Sequence, residues 1–396
     1  MPTVPVRPSY RLFDAGTWAD PFPLYAALRE HDPVHHVADG DFWVLTRHAD
    51  VLAAVRDPAT WSSAAGLTVA YDELERIGLQ DNPPMVMTDP PAHTTFRRLV
   101  SRGFTPRQVE AVEPPVRAFV AERLEAMRAD GGGDVVARLF KPLPSMVVAH
   151  YLGVPEPDRA RFDAWTDAIV AASATGSLAA AGAADAVAEL MTYFTWLVGH
   201  RREHPGDDTV SHLVAAGQAD DADGLLRVLA FTFTMVTGGN DTTTGLLGSG
   251  VQLLAAVPDQ RALARQDPAA AVEELLRLTS PVQGLARLTT RDVEVRGVRV
   301  PAGRKVLMCY AAANRDPEAF GPDADSLDVA RQPRQVLTFS HGPHHCLGAA
   351  AARMTARVAL EELLTRFPSF DVDLDAVTWA DGAYVRRPTS VPLVVG

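Results

Sequence analysis

Apolar residues recur at helical spacing along most of the chain, and only a few short stretches alternate as strands do. Pro21 to Glu30 reads as a short amphipathic helix, with Asp20 as its N-cap and Pro21 in its first turn. Val34 to Val37 and Phe42 to Thr46 read as a strand pair around the turn Asp39-Gly40, and Asp50 to Arg56 returns to helix. From Ser62 to Met87 the periodicity fails among Gly66, Gly78, Pro83 and Pro84, which predicts a long, partly helical loop. Arg107 to Ala129 predicts a long helix ended by Gly131-Gly132-Gly133. Leu139 to Leu152 predicts a buried helix interrupted near Pro142 and Pro144. Glu156 to Ala171 and Ala183 to Arg202 are two further helices, joined by the small-residue stretch Ala172 to Gly182.

Gly224 to Gly250 is the longest apolar helical pattern. Another helix carries Glu273-Glu274-Leu275-Leu276-Arg277 and stops at Ser280-Pro281. Leu285 to Thr289 reads as a strand, Val293 to Val300 as a hairpin turning at Gly297, and Lys305 to Tyr310 as a strand entered through Pro301-Ala302-Gly303. Leu347 to Arg366 is a long helix ended by Phe367-Pro368, and strand character returns around Ser390 to Val395. The fold class is therefore mainly α, a large helical domain with small β-sheets. No low-complexity linker interrupts residues 1–396, so the reading is one domain.

Composition changes this picture little. Hydrophobic residues make up 47% and charged residues 22%, an ordinary globular balance. The net charge of −12 disfavours non-specific nucleic-acid binding. Cys309 and Cys346 are the two cysteines and form no disulfide framework, which fits a reducing cytoplasm. Met1 to Tyr10 holds three prolines and no apolar run, so no signal peptide is expected. Nowhere do about 18 apolar residues follow one another, so no membrane span is expected.

Candidate chemistry concentrates in Phe339-Ser340-His341-Gly342-Pro343-His344-His345-Cys346-Leu347-Gly348. An alanine-rich helical pattern follows, and unpaired N–H groups and the dipole of a helix start favour a thiolate there. Gly342 and Gly348 would let the backbone pass close to a large flat ligand. Such a thiolate suits an axial haem ligand. Three neighbouring histidines leave a zinc site open, and a lone cysteine is also an ordinary small hydrophobe. His93 and Arg97 are four apart on one helix face, two donors that suit a carboxylate or simply a solvated basic surface. Thr237-Gly238-Gly239-Asn240-Asp241-Thr242-Thr243 puts poor helix formers in the middle of the longest helix. That is either a functional kink, whose freed carbonyl could hold water beside an acid and a hydroxyl, or a core helix with back-bonded threonines. Glu274 and Arg277, three apart, face one side.

The spacing Phe-x-x-Gly-x-His-x-Cys-x-Gly over 339–348 resembles the cysteine-ligand loop of the cytochrome P-450 superfamily, with Ser340 where glycine is usual. Gly238, Gly239, Asp241 and Thr242 match that family's Ala/Gly-Gly-x-Asp/Glu-Thr motif, His93 and Arg97 its His-x-x-x-Arg pair, and Glu274 with Arg277 its Glu-x-x-Arg pair. The likeness is to soluble actinobacterial members, and to a mycobacterial branch of them. It implies heme b with Cys346 as axial ligand, and Phe339, Gly342, Gly348 and Gly239 against the cofactor. His93, Arg97, Arg287 and His344 would pair with propionates. Thr242 and Asp241 would relay protons to bound dioxygen, and Glu274, Arg277 and Arg331 would form a structural triad. The implied reaction is monooxygenation of a hydrophobic small molecule by O2. No nucleotide-binding glycine motif is visible, so electrons would come from a separate ferredoxin and ferredoxin reductase, docking on Arg98, Arg102, Arg107 and Arg334. Leu67, Met87, Val236, Gly239, Leu285, Ala286 and Val385 are the expected substrate pocket, and Ala172 to Gly182 an expected lid. A peroxide-driven haem enzyme, a haem carrier or sensor, and a zinc hydrolase using His344, His345 and Cys346 are the rival readings.

Overall fold

The long helix Ala222–Ala256 packs against helices Pro142–Leu152, Arg159–Ala174, Ala181–Glu203, Pro268–Thr279 and Ala349–Arg366. A computed structural model describes residues 15–174, 181–381 and 384–395. At 1.5 Å per residue the central helix is about 50 Å long. Its first turn is fixed by Asp221, whose carboxylate accepts from the Gly224 N–H at 2.6 Å. The helix is uninterrupted across Gly238-Gly239. Thr242, Thr243 and Thr244 hydroxyls donate to the carbonyls four residues back, and the Asn240 amide donates to Val236. Side-chain back-bonding, one of the two alternatives for this stretch, is therefore present here.

Pro106–Ala129 packs along Ala349–Arg366. Val109, Val112, Val116, Val120, Leu124 and Met127 repeat at helical spacing and are all buried, each contributing about 1.5–3 kcal/mol. Their outer edges are cross-linked: Arg117 reaches Glu113, Glu361 and Glu362, and Arg357 reaches Glu113 and Glu361. Pro142–Leu152 is preceded by a wide turn over Val136–Phe140, which accounts for the predicted interruption. The helices on either side of Ala172 to Gly182 run longer than expected, Arg159–Ala174 and Ala181–Glu203. Residues 175–180 of the expected lid, and Met1 to Tyr10, lie outside the described residues.

A five-stranded sheet flanks the helical body, in the order Val34–Val37, Phe42–Leu45, Lys305–Met308, Leu285–Thr289, Trp61–Ser62. The second and third strands are parallel and the other pairs antiparallel. Arg287 lies opposite Val306 and Leu288 opposite Lys305, which sets the facing of the strand that carries Arg287. Lys305 is fully buried, its ammonium donates to the Ala65 carbonyl at 2.6 Å, and burial lowers its pKa to about 8. The predicted strand Lys305 to Tyr310 ends at Met308, because Tyr310–Ala313 turns helical. Gly132–Asp134 forms a strand with Pro392–Val395 rather than only ending a helix. Asp20 does not cap the first predicted helix, which spans Phe22–His31 behind Pro21.

Both ends of the described chain meet at Arg386. Its Nε donates to Trp18 O at 3.2 Å and its Nη2 to Ala19 O at 2.6 Å. The guanidinium lies 3.7 Å over the Trp379 ring and 5.2 Å from that of Phe22.

Candidate active site

The Cys346 loop is built from behind by a buried polar cluster. Arg277 is fully buried and uses all of its donor directions. Nε and Nη2 bind the two Glu274 oxygens at 2.8 and 2.7 Å, Nη1 binds Asn314 O and Ala324 O at 2.8 and 2.6 Å, and Nη2 also reaches Ser326 O at 3.2 Å. Arg331 joins Glu274 at 3.1 Å and Asp323 at 3.0 Å. Asn314 carries this order forward: its Oδ1 accepts from Leu337 N at 2.8 Å and its amide donates to Thr338 Oγ1 at 3.0 Å. The expected grouping of Glu274, Arg277 and Arg331 is thus present, and through Asn314 it is tied to Leu337, two residues upstream of Phe339.

Within the loop, Cys346 N donates to Phe339 O at 2.8 Å and Ser340 N to Leu337 O at 2.7 Å. Ser340 is buried with φ +55°, a left-handed backbone that favours glycine, and its hydroxyl accepts from Tyr310 at 3.3 Å. Gly342 has φ +69°, and a Cβ there would lie 2.6 Å from the Val55 carbonyl. Its need for glycine comes from packing on the helix His48–Arg56, not from approach to a flat ligand. Gly348 is different: a Cβ there meets open space. Phe339 is held under the Arg353 guanidinium, 4.7 Å from its ring centre.

Cys346 sits deep yet has an open surface, the combination expected of a residue on an internal wall. Burial pushes its thiol pKa up, against a hydrogen bond from the Gly348 backbone and the charges of Arg97 and Arg353. The helix-start argument therefore names a real contribution that desolvation outweighs in the free thiol.

Beside the cysteine loop, four cationic or neutral nitrogen groups converge with few carboxylates. The His93 and His344 rings lie 4.1 Å apart. Both His93 ring nitrogens are buried without a partner. His344 faces Ser63 Oγ at 3.2 Å, and burial with the charges of Arg287, His93 and Arg97 pushes its pKa down to about 3. Arg287 is buried and donates to its neighbour's carbonyl, Ala286 O, and Arg97 donates to His345 O at 2.5 Å. Orphaned donors and unpaired guanidinium charge at one place make a site for anions. The two carboxylates of a haem fit that donor set. Among the described residues no three His, Cys, Asp or Glu side chains converge as a metal-binding group, so His344, His345 and Cys346 do not assemble a zinc site.

On the central helix, Thr242 Oγ1 donates to Gly238 O at 3.0 Å. Asp241 is bound by Arg387 at 2.6 Å; burial raises its pKa and the charges of Arg387 and Lys141 oppose that rise. Gly238 is exposed in mid-helix and has open space at its Cβ position. Gly239 does not: a Cβ there would lie 2.6 Å from Val148. The glycine that opens onto free space is Gly238, whereas Gly239 is the one expected against the cofactor. Of the expected pocket residues, Leu67, Met87, Leu285 and Val385 keep accessible surface, whereas Val236 and Ala286 are wholly buried and have none to offer a ligand.

The sequence model of the Cytochrome P-450 family matches residues 269–377, which include the Glu274–Arg277 pair and the Cys346 loop. Cytochrome P-450 130 of Mycobacterium tuberculosis is 63% identical over 396 residues, covering 98% of both chains. The chain belongs to the cytochrome P-450 family. It is accordingly a haem-thiolate monooxygenase of bacterial, mycobacterial type. Vitamin D(3) 25-hydroxylase of Pseudonocardia autotrophica is 37% identical, covering 97% of this chain and 96% of its own. Among solved structures, cytochrome P-450 CYP109Q5 from Chondromyces apiculatus superposes with a TM-score of 0.86 at 31% identity, covering 98% of this chain and 99% of that one. The fold read from the sequence is thus the fold of its relatives. No helix among the described residues is long and apolar enough to cross a membrane.

Proposed function

We propose that Cys346 is the thiolate that would hold heme b in this monooxygenase, which acts on a hydrophobic organic substrate with electrons from a separate ferredoxin and its reductase. The observation that carries the reading is the open-faced Cys346 beside an electropositive hole whose His93 nitrogens lack partners. His93, Arg97, Arg287 and His344 would hold the propionates, with Gly348 and Gly238 leaving room for the macrocycle and for what binds above it. Phe339, held under Arg353, would pack against the bound cofactor. When bound, thiolate-ligated haem supplies the chemistry that activates O2 so that one oxygen atom enters a C–H bond.

The chain's own contribution is position and protons. Thr242 spends its hydrogen on Gly238 O, so its oxygen lone pairs remain to accept. Asp241 supplies the exchangeable proton. Leu67, Met87, Leu285 and Val385 line the substrate side, and the apolar lining supports a large, weakly polar substrate. The name of the Pseudonocardia relative, a vitamin D(3) hydroxylase, is consistent with that class. Arg98, Arg102, Arg107 and Arg334 are exposed and have no ion-pair partner among the described residues, which supports docking of an acidic ferredoxin. One domain and a cytoplasmic setting complete the proposal.

The test is the carbon monoxide difference spectrum of the dithionite-reduced protein. A strongly red-shifted Soret band in wild type, lost in Cys346→His, is the expected outcome. A less shifted band in wild type, or an unchanged band in the variant, refutes Cys346 as ligand. Turnover with peroxide alone, and none with a ferredoxin system, refutes the electron route.

A further inference from the structure

We propose that Lys305 is a positioning residue for the substrate: its buried ammonium fastens the loop between Ser62 and Met87 at Ala65 and so makes Leu67 a fixed wall of the substrate side. The inference rests on the reading given above that Leu67 and Leu285 line that side.

Asp89 draws the two ends of the loop together. Its carboxylate accepts from Ser62 Oγ at 2.5 Å and from Ser63 N at 2.9 Å. Between these ends the loop has two unlike arms. The first folds around Glu73, which is buried and whose Oε2 accepts from Thr68 N at 2.7 Å and from Thr68 Oγ1 at 2.8 Å. This arm is tied to the five-stranded sheet. Lys305 Nζ donates to Ala65 O at 2.6 Å, Ala286 N to Leu67 O at 2.6 Å, and Lys305 N to Tyr71 Oη at 3.1 Å. Tyr71 Oη in turn donates to Asp41 O at 2.6 Å. The second arm has no such ties. From Glu75 to Gln80 every residue but Leu79 is exposed, and the bonds of this stretch stay within the loop.

Of the bonds that hold the chain at Ala65 and Leu67, the one from Ala286 is backbone to backbone, and any residue but proline at 286 would make it. The other needs a side chain that crosses from the sheet and carries a donor at its tip. Burial lowers the Lys305 pKa to about 8, so near neutral pH that tip is chiefly an ammonium, a charge-assisted donor. Glu73 and Arg287 act on it from farther off and with opposite signs. Burying an ammonium is unfavourable, and an apolar residue of the same length would pack better in the strand. A residue that breaks the local rule in this way points to a role other than stability. The two arms then differ in kind: Leu67 sits on the fastened one, and the give in the loop belongs to the other.

The experiment uses holoenzyme with Lys305→Met, Leu67→Ala and the double variant, near neutral pH. Amide hydrogen exchange over residues 64–70 should be about tenfold faster in Lys305→Met, while residues 75–80 exchange fast in every form. Binding is read from the Soret shift with two azoles, the short 4-phenylimidazole and the bulky clotrimazole. Clotrimazole should bind about tenfold more weakly in Lys305→Met and in Leu67→Ala, the contact of one leucine side chain, while 4-phenylimidazole stays within about twofold of wild type. The double variant should lose no more than either single one, because both changes remove the same wall. Unchanged exchange over 64–70, equal weakening of both azoles, no weakening of clotrimazole, or additive losses in the double variant overturn the proposal. So does a Lys305→Met protein that melts more than about 5 °C below wild type, which would make the lysine a part of the scaffold. If neither azole shifts the Soret band of wild type, the haem reading fails instead, and the exchange result alone decides the fastening.

Discussion

Replacing Arg277 by lysine keeps the charge and tests the geometry. Arg277 makes five hydrogen bonds, two to Glu274 and three to the carbonyls of Asn314, Ala324 and Ser326. An ammonium has three donors, so at least two buried acceptors go unmatched. Each costs about 1–3 kcal/mol, giving about 2–6 kcal/mol for the substitution. Against a total stability of about 5–15 kcal/mol that is a severe loss. It should also reach the haem site, because Asn314 passes the order on to Leu337 and Thr338, just before Phe339. Urea unfolding followed by circular dichroism gives the first quantity, and haem content after purification the second. Glu274→Ala, which strands a buried guanidinium, should cost about 3–5 kcal/mol. Arg299→Lys, in the exposed pair with Asp292, should change neither measurement. A loss under about 1 kcal/mol in Arg277→Lys, with full haem content, would refute the view that five-fold donation is what this residue provides.

Lys305→Met should abolish a pH slope. A folded-state pKa lowered to about 8 means the native state binds fewer protons than the unfolded one up to about 10.5, so wild type gains about 3 kcal/mol as pH rises through that range, and equal slopes in wild type and variant would count against it. At Ser340 the left-handed backbone costs about 1 kcal/mol and the Tyr310 hydroxyl bond returns a similar amount, so Ser340→Gly should be nearly neutral while Ser340→Ala, keeping the strain without the bond, should lose about 1–2 kcal/mol in denaturant titration. Arg98→Glu should slow reduction by a ferredoxin in stopped flow but not reduction by dithionite; equal slowing in both, or none, argues against docking at that face.

What was legible in the sequence is what short spacing encodes. The Cys346 loop, the Glu274–Arg277 pair and the order of long helices are local patterns, and the structure assembles them as expected. Arg331 is the exception, a long-range partner reached through family likeness. What the sequence hid are partners chosen by tertiary packing. Nothing near Asp241 announces Arg387, more than a hundred residues away. Likewise nothing in Gly238-Gly239 says which glycine faces open space; Val148, on another helix, decides it. Val236 and Ala286 carry the right chemistry for a pocket, but burial by neighbours removed them from it. Gly342 fits a ligand-approach argument equally well until the Val55 carbonyl is placed against it.

The Arg386 bond to Trp18 spans 368 residues. A chain emerging from the ribosome N-terminus first must therefore hold its opening helices unfastened while the rest is made, for about 20–70 s at ordinary elongation rates. Trp18, Tyr25 and Leu28, all buried in the finished fold, spend that interval without their final cover. Those early helices are thus open to chaperones and proteases until Arg386 has been made, and a chain that stalls before it lacks the bonds that tie Trp18 and Ala19 down.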